Sequence, residues 1–210
     1  QCVVCGLNPH GDAAIYETMV RMARGNESLL HPYVDSKGNF GKAYSRDMAY
    51  AAPRYTEVKL EAIAGELFRD IDKDTVDFTP NYDNTTTEPT PLPATYPSVL
   101  VNANVGIAVS MASNVCPFNL AEVCETTIAY LKNPDHDLLS TLKGPDFPTG
   151  GFLMYDETEL QRIYDTGRGS VKLRSKWNYD KDANCIEITE IPYSTTIEAI
   201  MEKIVELVKA

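Results

Sequence analysis

Between Pro80 and Pro97 the chain sets Pro80, Pro89, Pro91, Pro93 and Pro97 among Asn84, Thr85, Thr86 and Thr87. No helix interior or central strand accommodates that composition, because each proline removes a backbone donor and fixes φ. The stretch therefore reads as a connector with little regular structure. It divides the 210 residues into segments 1–90 and 91–210, each long enough to bury a core of its own.

The front segment carries helical and turn signals. Asp12 is placed to cap a helix reaching about Arg24, with Ile15, Met19, Met22 and Ala23 on one face. Gly38 and Gly41 around Asn39-Phe40, within Asp35 to Lys42, predict a short hairpin or wing. Thr56 is placed to cap a second helix, striped by Leu60, Ile63, Ala64, Leu67, Phe68 and Ile71. Helix, hairpin and helix with basic residues between them read as a winged-helix-like DNA-binding unit.

The rear segment reads as α/β (α+β). Val99–Val101 and Ile107–Val109 have the composition of buried strands. Asn119 with Glu122 predicts a capped helix through Leu131. A strand follows at Phe152–Met154, then a helix over Glu157–Thr166 closed by Gly167. Val171–Arg174 and Cys185–Thr189 alternate, and 181–184 is a turn able to join them. Thr195 with Glu198 opens a final helix striped by Ile197, Ile200, Met201, Ile204 and Val208.

The formal net charge is −11, which taken whole argues against a phosphate backbone as partner. Its distribution reverses that inference for the front. Residues 1–60 hold seven Lys/Arg against six Asp/Glu, and residues 61–210 hold twelve against twenty-four. A DNA-facing patch belongs to Arg21, Arg24, Lys37, Lys42, Arg46, Arg54 and Lys59. Five scattered cysteines form no disulfide framework and suit a reducing cytoplasm. The spacing Cys2-x-x-Cys5 lacks a second Cys/His pair, so buried thiols are favoured over zinc or redox work. No apolar run reaches membrane-span length, and no leader opens the chain. Gln1 is no initiator and the helical periodicity at 204–210 has no stop signal, so the chain reads as an excised fragment. Asp70, Asp72 and Asp74 lack the glycine turn of a calcium loop, and no Gly-x-x-x-x-Gly-Lys nucleotide loop occurs.

Seven motifs stand in order: Asn8-Pro9-His10-Gly11-Asp12, Gly38-Asn39-Phe40-Gly41, Arg54-Tyr55-Thr56-Glu57, Asp72-Lys73-Asp74-Thr75-Val76-Asp77-Phe78, Gly106-Ile107-Ala108-Val109, Gly144-Pro145-Asp146-Phe147-Pro148 and Thr166-Gly167-Arg168-Gly169. From Val4 to Lys209 this series resembles the A subunits of the bacterial type IIA DNA topoisomerases, DNA gyrase and topoisomerase IV. The resemblance implies a winged-helix catalytic-tyrosine domain over 1–90 and part of an α/β tower domain over 91–210. It implies an ATP-dependent isomerase that acts on double-stranded DNA, with two A subunits in a heterotetramer with B-type subunits. It assigns no cofactor to this chain, and Mg²⁺ and ATP to the B-type partner. It places the protein with the cytoplasmic nucleoid.

The residues then take roles. Tyr55 is implied to attack a DNA 5′-phosphate, since a phenol oxygen can hold the broken phosphodiester as a covalent link. Arg54 supplies a permanent positive charge beside it, able to bond non-bridging phosphate oxygens. The helix expected at Thr56 would direct its positive end to the same phosphate. His10 corresponds to a family histidine that helps place the scissile phosphate. Asn8 stands where the family has another histidine; it can donate a hydrogen bond and cannot titrate. Read alone, Ile107 is a core residue; the resemblance makes it a wedge between base pairs. Arg21, Lys42 and Arg46 otherwise pass for a solvated face, and the resemblance makes them phosphate contacts. Ala13 and Glu17 stand where the family usually has a serine and an acidic residue that hold quinolone drugs. The alternative reading is a non-catalytic winged-helix DNA-binding module joined to an α/β partner-binding domain. A cytosolic thiol enzyme built on Cys2 and Cys5 lacks the βαβ pattern it would need.

Overall fold

Helix α1 spans Asp12–Met22, with Asp12 in its first turn and Arg21 in its last, as the helix dipole favours. The computed structural model describes residues 11–209, so Asn8, His10 and the Cys2/Cys5 pair lie outside the described residues. Gly11, not Asp12, occupies the cap position, and no side chain caps the helix. The buried stripe is Tyr16, Val20 and Ala23, which joins Val34 and Phe40 in a front core flanked by Met19 and Met22. That stripe sits one residue over from the expected face, because Tyr16 rather than Ile15 enters the core.

Strand β1 (Val34–Lys37) pairs antiparallel with β2 (Glu57–Leu60), which corrects two expectations. Asp35 to Lys42 does not fold back on itself as a hairpin, and no helix begins at Thr56. Glu57-Val58-Lys59-Leu60 also alternates polar and apolar, the period of a strand. The register sets Lys37 against Glu57 and Asp35 against Lys59, with ion pairs at 3.6 and 3.2 Å. Opposite charges across a ladder favour the strand alternative. The remaining helical signal is reduced to a 3₁₀ stretch, Ala62–Leu67, in which only Ala64 is buried. Gly65 at its centre weakens α-helix there.

The expected connector begins with a hairpin, β3 (Phe78–Pro80) against β4 (Thr87–Pro89). Its turn is built by Asn81, whose Oδ1 accepts from the backbone N–H of Thr85 at 3.0 Å and of Thr86 at 3.3 Å. Pro80 and Pro89 end the strands, where a missing donor costs little. Residues 91–97 remain without helix or strand.

Helix α2 (Ser98–Val101) replaces the strand expected at Val99–Val101. Strands β5 (Asn104–Ala108) and β6 (Met111–Val115) form an exposed hairpin, not a buried strand. Ile107 is 88% and Val109 96% exposed. Helix α3 (Leu120–Lys132) is capped as expected, Asn119 Oδ1 accepting from the N–H of Ala121 and Glu122. Glu122 does not close the capping box; its carboxylate accepts from Lys143 N at 3.1 Å. Helix α4 (Leu138–Thr141) follows. Val101, Phe118, Val123 and Leu142 make the second core.

Strand β7 (Phe152–Met154) and helix α5 (Glu157–Thr166, closed at Gly167) agree with the sequence. Strand β8 (Lys172–Arg174) returns to pair with β7, so Val171–Arg174 does not pair with Cys185–Thr189. The turn at 181–184 instead joins β9 (Lys176–Asp180) to β10 (Cys185–Glu190). Helix α6 (Ile197–Lys209) ends the described chain and buries none of its residues. Among the described residues all five sheets are two-stranded and antiparallel. The fold is therefore mixed α+β, without the parallel sheet an α/β reading entails.

Several contacts tie front to rear, among them the bonds of Thr95 to Glu66. Asn102 accepts from His31 N at 2.8 Å and donates to His31 O at 2.9 Å. The start of α6 docks on residues 44–47: Ile197 N donates to Tyr44 O at 2.9 Å. Glu198 accepts from the Ser45 hydroxyl and from Arg46 N at 3.1 Å. Led by the Ser45 bond, these donors hold the Glu198 carboxyl down to about 2, from an ordinary value of 4.5. A depressed carboxylate pKa stabilises the fold above the ordinary value and ceases to do so as pH falls through the folded one. Glu198→Gln is therefore expected to lower the melting temperature at pH 7. The gap to wild type closes as pH falls from about 4.5 toward 2. Thermal melts of both proteins across that range check it; a gap that stays constant rejects the docking role.

Candidate active site

Tyr55 sits on a single 3₁₀ turn, Pro53–Tyr55, with proline at the position where a missing N–H is harmless. Tyr55 N donates to Ala52 O at 3.0 Å and Thr56 N to Pro53 O at 3.2 Å. The chain is extended by Thr56 and enters β2. The expected helix N-terminus beside Tyr55 is thus absent, and with it the dipole contribution to phosphate binding. What the turn does instead is project the side chain: Tyr55 is 66% exposed. The Arg54 guanidinium carbon lies over its ring, 4.8 Å from the centroid.

The Gly38–Gly41 motif is the platform beneath this turn. Gly38 has φ +106° and a Cβ there would meet Tyr55 O at 2.9 Å; Gly41 has φ +66° and a Cβ would meet Met48 O at 2.6 Å. Both positions require the left-handed region and a close backbone approach. Between them Asn39 O accepts from Ala51 N at 2.9 Å, and Lys42 N donates to Met48 O at 3.0 Å. The two glycines serve a chain crossing, with residues 48–55 laid across 38–42, which is why no local hairpin forms.

Helix α1 flanks the same segment. The Tyr16 hydroxyl donates to Ala51 O at 3.0 Å and lies 3.0 Å from Thr56 Oγ1. The Tyr16 ring meets Tyr50 edge-on at 5.7 Å, and the Tyr50 hydroxyl lies 3.5 Å from Glu17 Oε1. Ala13, Glu17 and Arg21, spaced by four, share one face of α1, and all three are exposed. The structure thereby brings Tyr55, Arg54 and the α1 face into one region. Sequence reading missed Tyr16, Tyr50 and Thr56; the helical spacing of Tyr16 with Val20 and Ala23 was the available signal.

Of the seven basic side chains in residues 1–60, five pair with carboxylates. Lys37, Lys59 and Arg24 engage Glu57, Asp35 and Glu61; Lys42 engages Glu27, and Arg46 engages Glu202 at 3.4 Å. Glu27 holds the Lys42 ammonium above its usual pKa. Arg21 and Arg54 pair with no carboxylate among the described residues. The Arg46–Glu202 pair is exposed and such pairs are worth little, so Arg46 is able to exchange a carboxylate for another anion, whereas Lys42 is half-buried beside Glu27. Ile107 stands on the separate β5–β6 hairpin, with its side chain in solvent.

The carboxylates that follow Tyr55, Glu57 and Glu61, pair with Lys37 and Arg24. Among the described residues one trio of possible ligands, half-buried Asp180 with exposed Cys185 and Glu187, lies on the β9–β10 hairpin. Its Asp180 already accepts from Asp182 N and Ala183 N in closing that turn. Among the described residues no helix is long and apolar enough to cross a membrane.

Residues 2–210 match the family of DNA gyrase/topoisomerase IV A subunits. The chain is 46% identical over 213 residues to the DNA gyrase A subunit of Mycoplasma pneumoniae, covering 99% of this chain and 25% of the relative. It is 46% identical over 208 residues to the DNA gyrase A subunit of Staphylococcus epidermidis, covering 96% and 23%. Identity to the DNA topoisomerase 4 A subunit of Rickettsia conorii is 43% over 213 residues, covering 99% and 28%. The chain spans about a quarter of the length of these curated relatives.

Proposed function

The chain belongs to the DNA gyrase/topoisomerase IV A-subunit family, and from that premise we propose that it is the DNA breakage-reunion part of an ATP-dependent type IIA topoisomerase. The observation that carries the reading is Tyr55, exposed on its turn with the Arg54 cation across its ring. The Tyr55 oxygen attacks a DNA phosphorus, forming a phosphotyrosine bond as the bond to the 3′-oxygen breaks. The phenol proton leaves and the 3′-oxygen takes one up; the reverse attack by that oxygen reseals the strand. Exchange of one phosphodiester for another conserves the bond energy, so breakage is reversible. Arg54 neutralises charge gathering on the non-bridging oxygens. His10 and Asn8 complete the phosphate site in this reading.

Residues 1–90 act as the winged-helix domain and 91–210 as tower domain. Arg21, Lys42 and Arg46 hold the phosphate backbone without reading sequence, and Ile107 enters the base stack and bends the duplex. Two A subunits related by a two-fold axis present two Tyr55 side chains to opposite strands. Mg²⁺ and ATP are assigned to the B-type partner, where the metal would supply positive charge for the departing 3′-oxygen.

The test is covalent trapping. The full-length protein is mixed with its B-type partner, Mg²⁺ and duplex DNA, then denatured. DNA that stays attached to the Tyr55-bearing chain supports the reading; complete release indicates a binding module.

Ala13 and Glu17 give a second prediction, for quinolone-stabilised cleavage. A serine at position 13 offers a hydroxyl to a drug-bound metal's water, and Ala13 offers none. One such hydrogen bond is worth about 0.5–1.5 kcal/mol. Ala13→Ser is expected to raise drug sensitivity several-fold in cleavage assays of the full enzyme, and an equal response would separate this helix from drug binding.

A further inference from the structure

We infer that Tyr16 is a positioning residue for Tyr55, an inference that rests on the proposed function above. Tyr16 is only 8% exposed, and its ring is fixed between Phe40, at 6.3 Å, and Tyr50, at 5.7 Å. Its oxygen ends at the one place where it can hold both sides of the turn that carries Tyr55. Upstream it meets Ala51 O at 3.0 Å; downstream it meets Thr56 Oγ1 at 3.0 Å. Thr56 Oγ1 in turn lies 3.1 Å from Pro53 O.

Two hydroxyl protons serve two of these three contacts at a time: with Tyr16 donating to Ala51 O, the Thr56 hydroxyl donates either to Tyr16 or to Pro53 O, and either arrangement ties Tyr16 or Thr56 to residues 51–56. Gly38 supports the turn from below, at the Tyr55 carbonyl. The Tyr16–Thr56 pair supports it from the side of α1. No strong packing does this job: Pro53, Arg54 and Tyr55 are all exposed. The aim of the Tyr55 oxygen thus depends on hydrogen bonds to a buried side chain on another element.

Misplacing a reacting group by about 1 Å can cost on the order of 10²-fold in rate. Loss of the Tyr16 hydroxyl loosens the aim without removing the nucleophile, so a smaller loss, about tenfold, is expected.

The experiment uses the full-length protein with its B-type partner, Mg²⁺ and a duplex. It measures cleavage rate at saturating DNA and DNA Kd separately, for Tyr16→Phe, Thr56→Val, both together, and Thr56→Ser. Tyr16→Phe and Thr56→Val should each slow cleavage about tenfold with Kd within twofold of wild type. The double variant should be slowed by less than the product of the two single effects, since both singles remove the Tyr16–Thr56 contact. Thr56→Ser should recover most of the rate. Wild-type cleavage in Tyr16→Phe, parallel loss of rate and affinity, additive effects, or failure of Thr56→Ser to recover would each overturn the inference. Tyr55→Phe is run alongside. If it forms no adduct while Tyr16→Phe cleaves normally, the positioning role fails and the proposed function stands. If it forms adducts, the proposed function itself fails.

Discussion

Tyr55→Phe, reconstituted with its B-type partner, Mg²⁺ and duplex DNA, is expected to bind DNA as the wild type does and to yield no denaturation-resistant adduct. The substitution removes one oxygen from a side chain that is 66% exposed, so little packing is disturbed. The Arg54 guanidinium still has a ring to lie over. The fold below is held by backbone bonds of the 3₁₀ turn and by Gly38, none of which involve the phenol oxygen. Loss of a covalent nucleophile leaves no alternative acceptor for the phosphoryl group, so the expected change is abolition rather than reduction. The measurement is radiolabelled DNA retained on the protein after detergent denaturation, beside a DNA-binding isotherm. Adducts at the wild-type level would assign the chemistry to another residue.

How much of this site was legible in the sequence differs by element. The span of helix α1, the Asn119 cap and helix α5 followed from periodicity and capping chemistry, which act within a few residues, although Asp12 does not cap α1 and Tyr16, not Ile15, enters the core. Tyr55 and Arg54 were legible as a motif, but their setting was not. The stretch after Thr56 satisfies both a 3.6-residue and a two-residue period. The decision between them lies in Asp35 and Lys37, about twenty residues away, which pair with Lys59 and Glu57. Likewise, the two glycines at 38 and 41 look like a turn when read locally. Their use is a crossing by residues 48–55, contact at a distance that no local pattern encodes. Ile107 shows the converse. Its apolar run predicts burial, and only a hairpin projecting from the second core leaves it in solvent. For Lys42 and Arg46 the sequence identified charge but not commitment, since their carboxylate partners Glu27 and Glu202 come from other segments.

Arg54→Ala carries the other large effect, and its size distinguishes three roles for this side chain. As a ring contact alone, the cation over Tyr55 is worth about 0.5–1 kcal/mol at an exposed site, less than tenfold in rate. As an ordinary phosphate contact, its loss weakens DNA binding and lowers the salt slope by about one counterion, with cleavage falling in parallel. As a donor to charge that develops on the phosphate during attack, its loss slows cleavage by about 10²–10³-fold while affinity changes much less. The third outcome is expected. Arg54 is exposed and pairs with no carboxylate among the described residues, so its substitution frees no buried anion and disturbs no core. Arg21 is also exposed and without a carboxylate partner among the described residues, but it is not adjacent to the nucleophile; Arg21→Ala is expected to follow the second pattern. Arg54→Lys separates charge from geometry, because an ammonium keeps the charge and loses the planar fork that bonds two oxygens at once. Single-turnover cleavage at saturating DNA, with Kd measured at two salt concentrations, reads all three variants. Equal fractional losses of rate and affinity in Arg54→Ala would reduce it to a backbone contact and leave transition-state stabilisation to other groups.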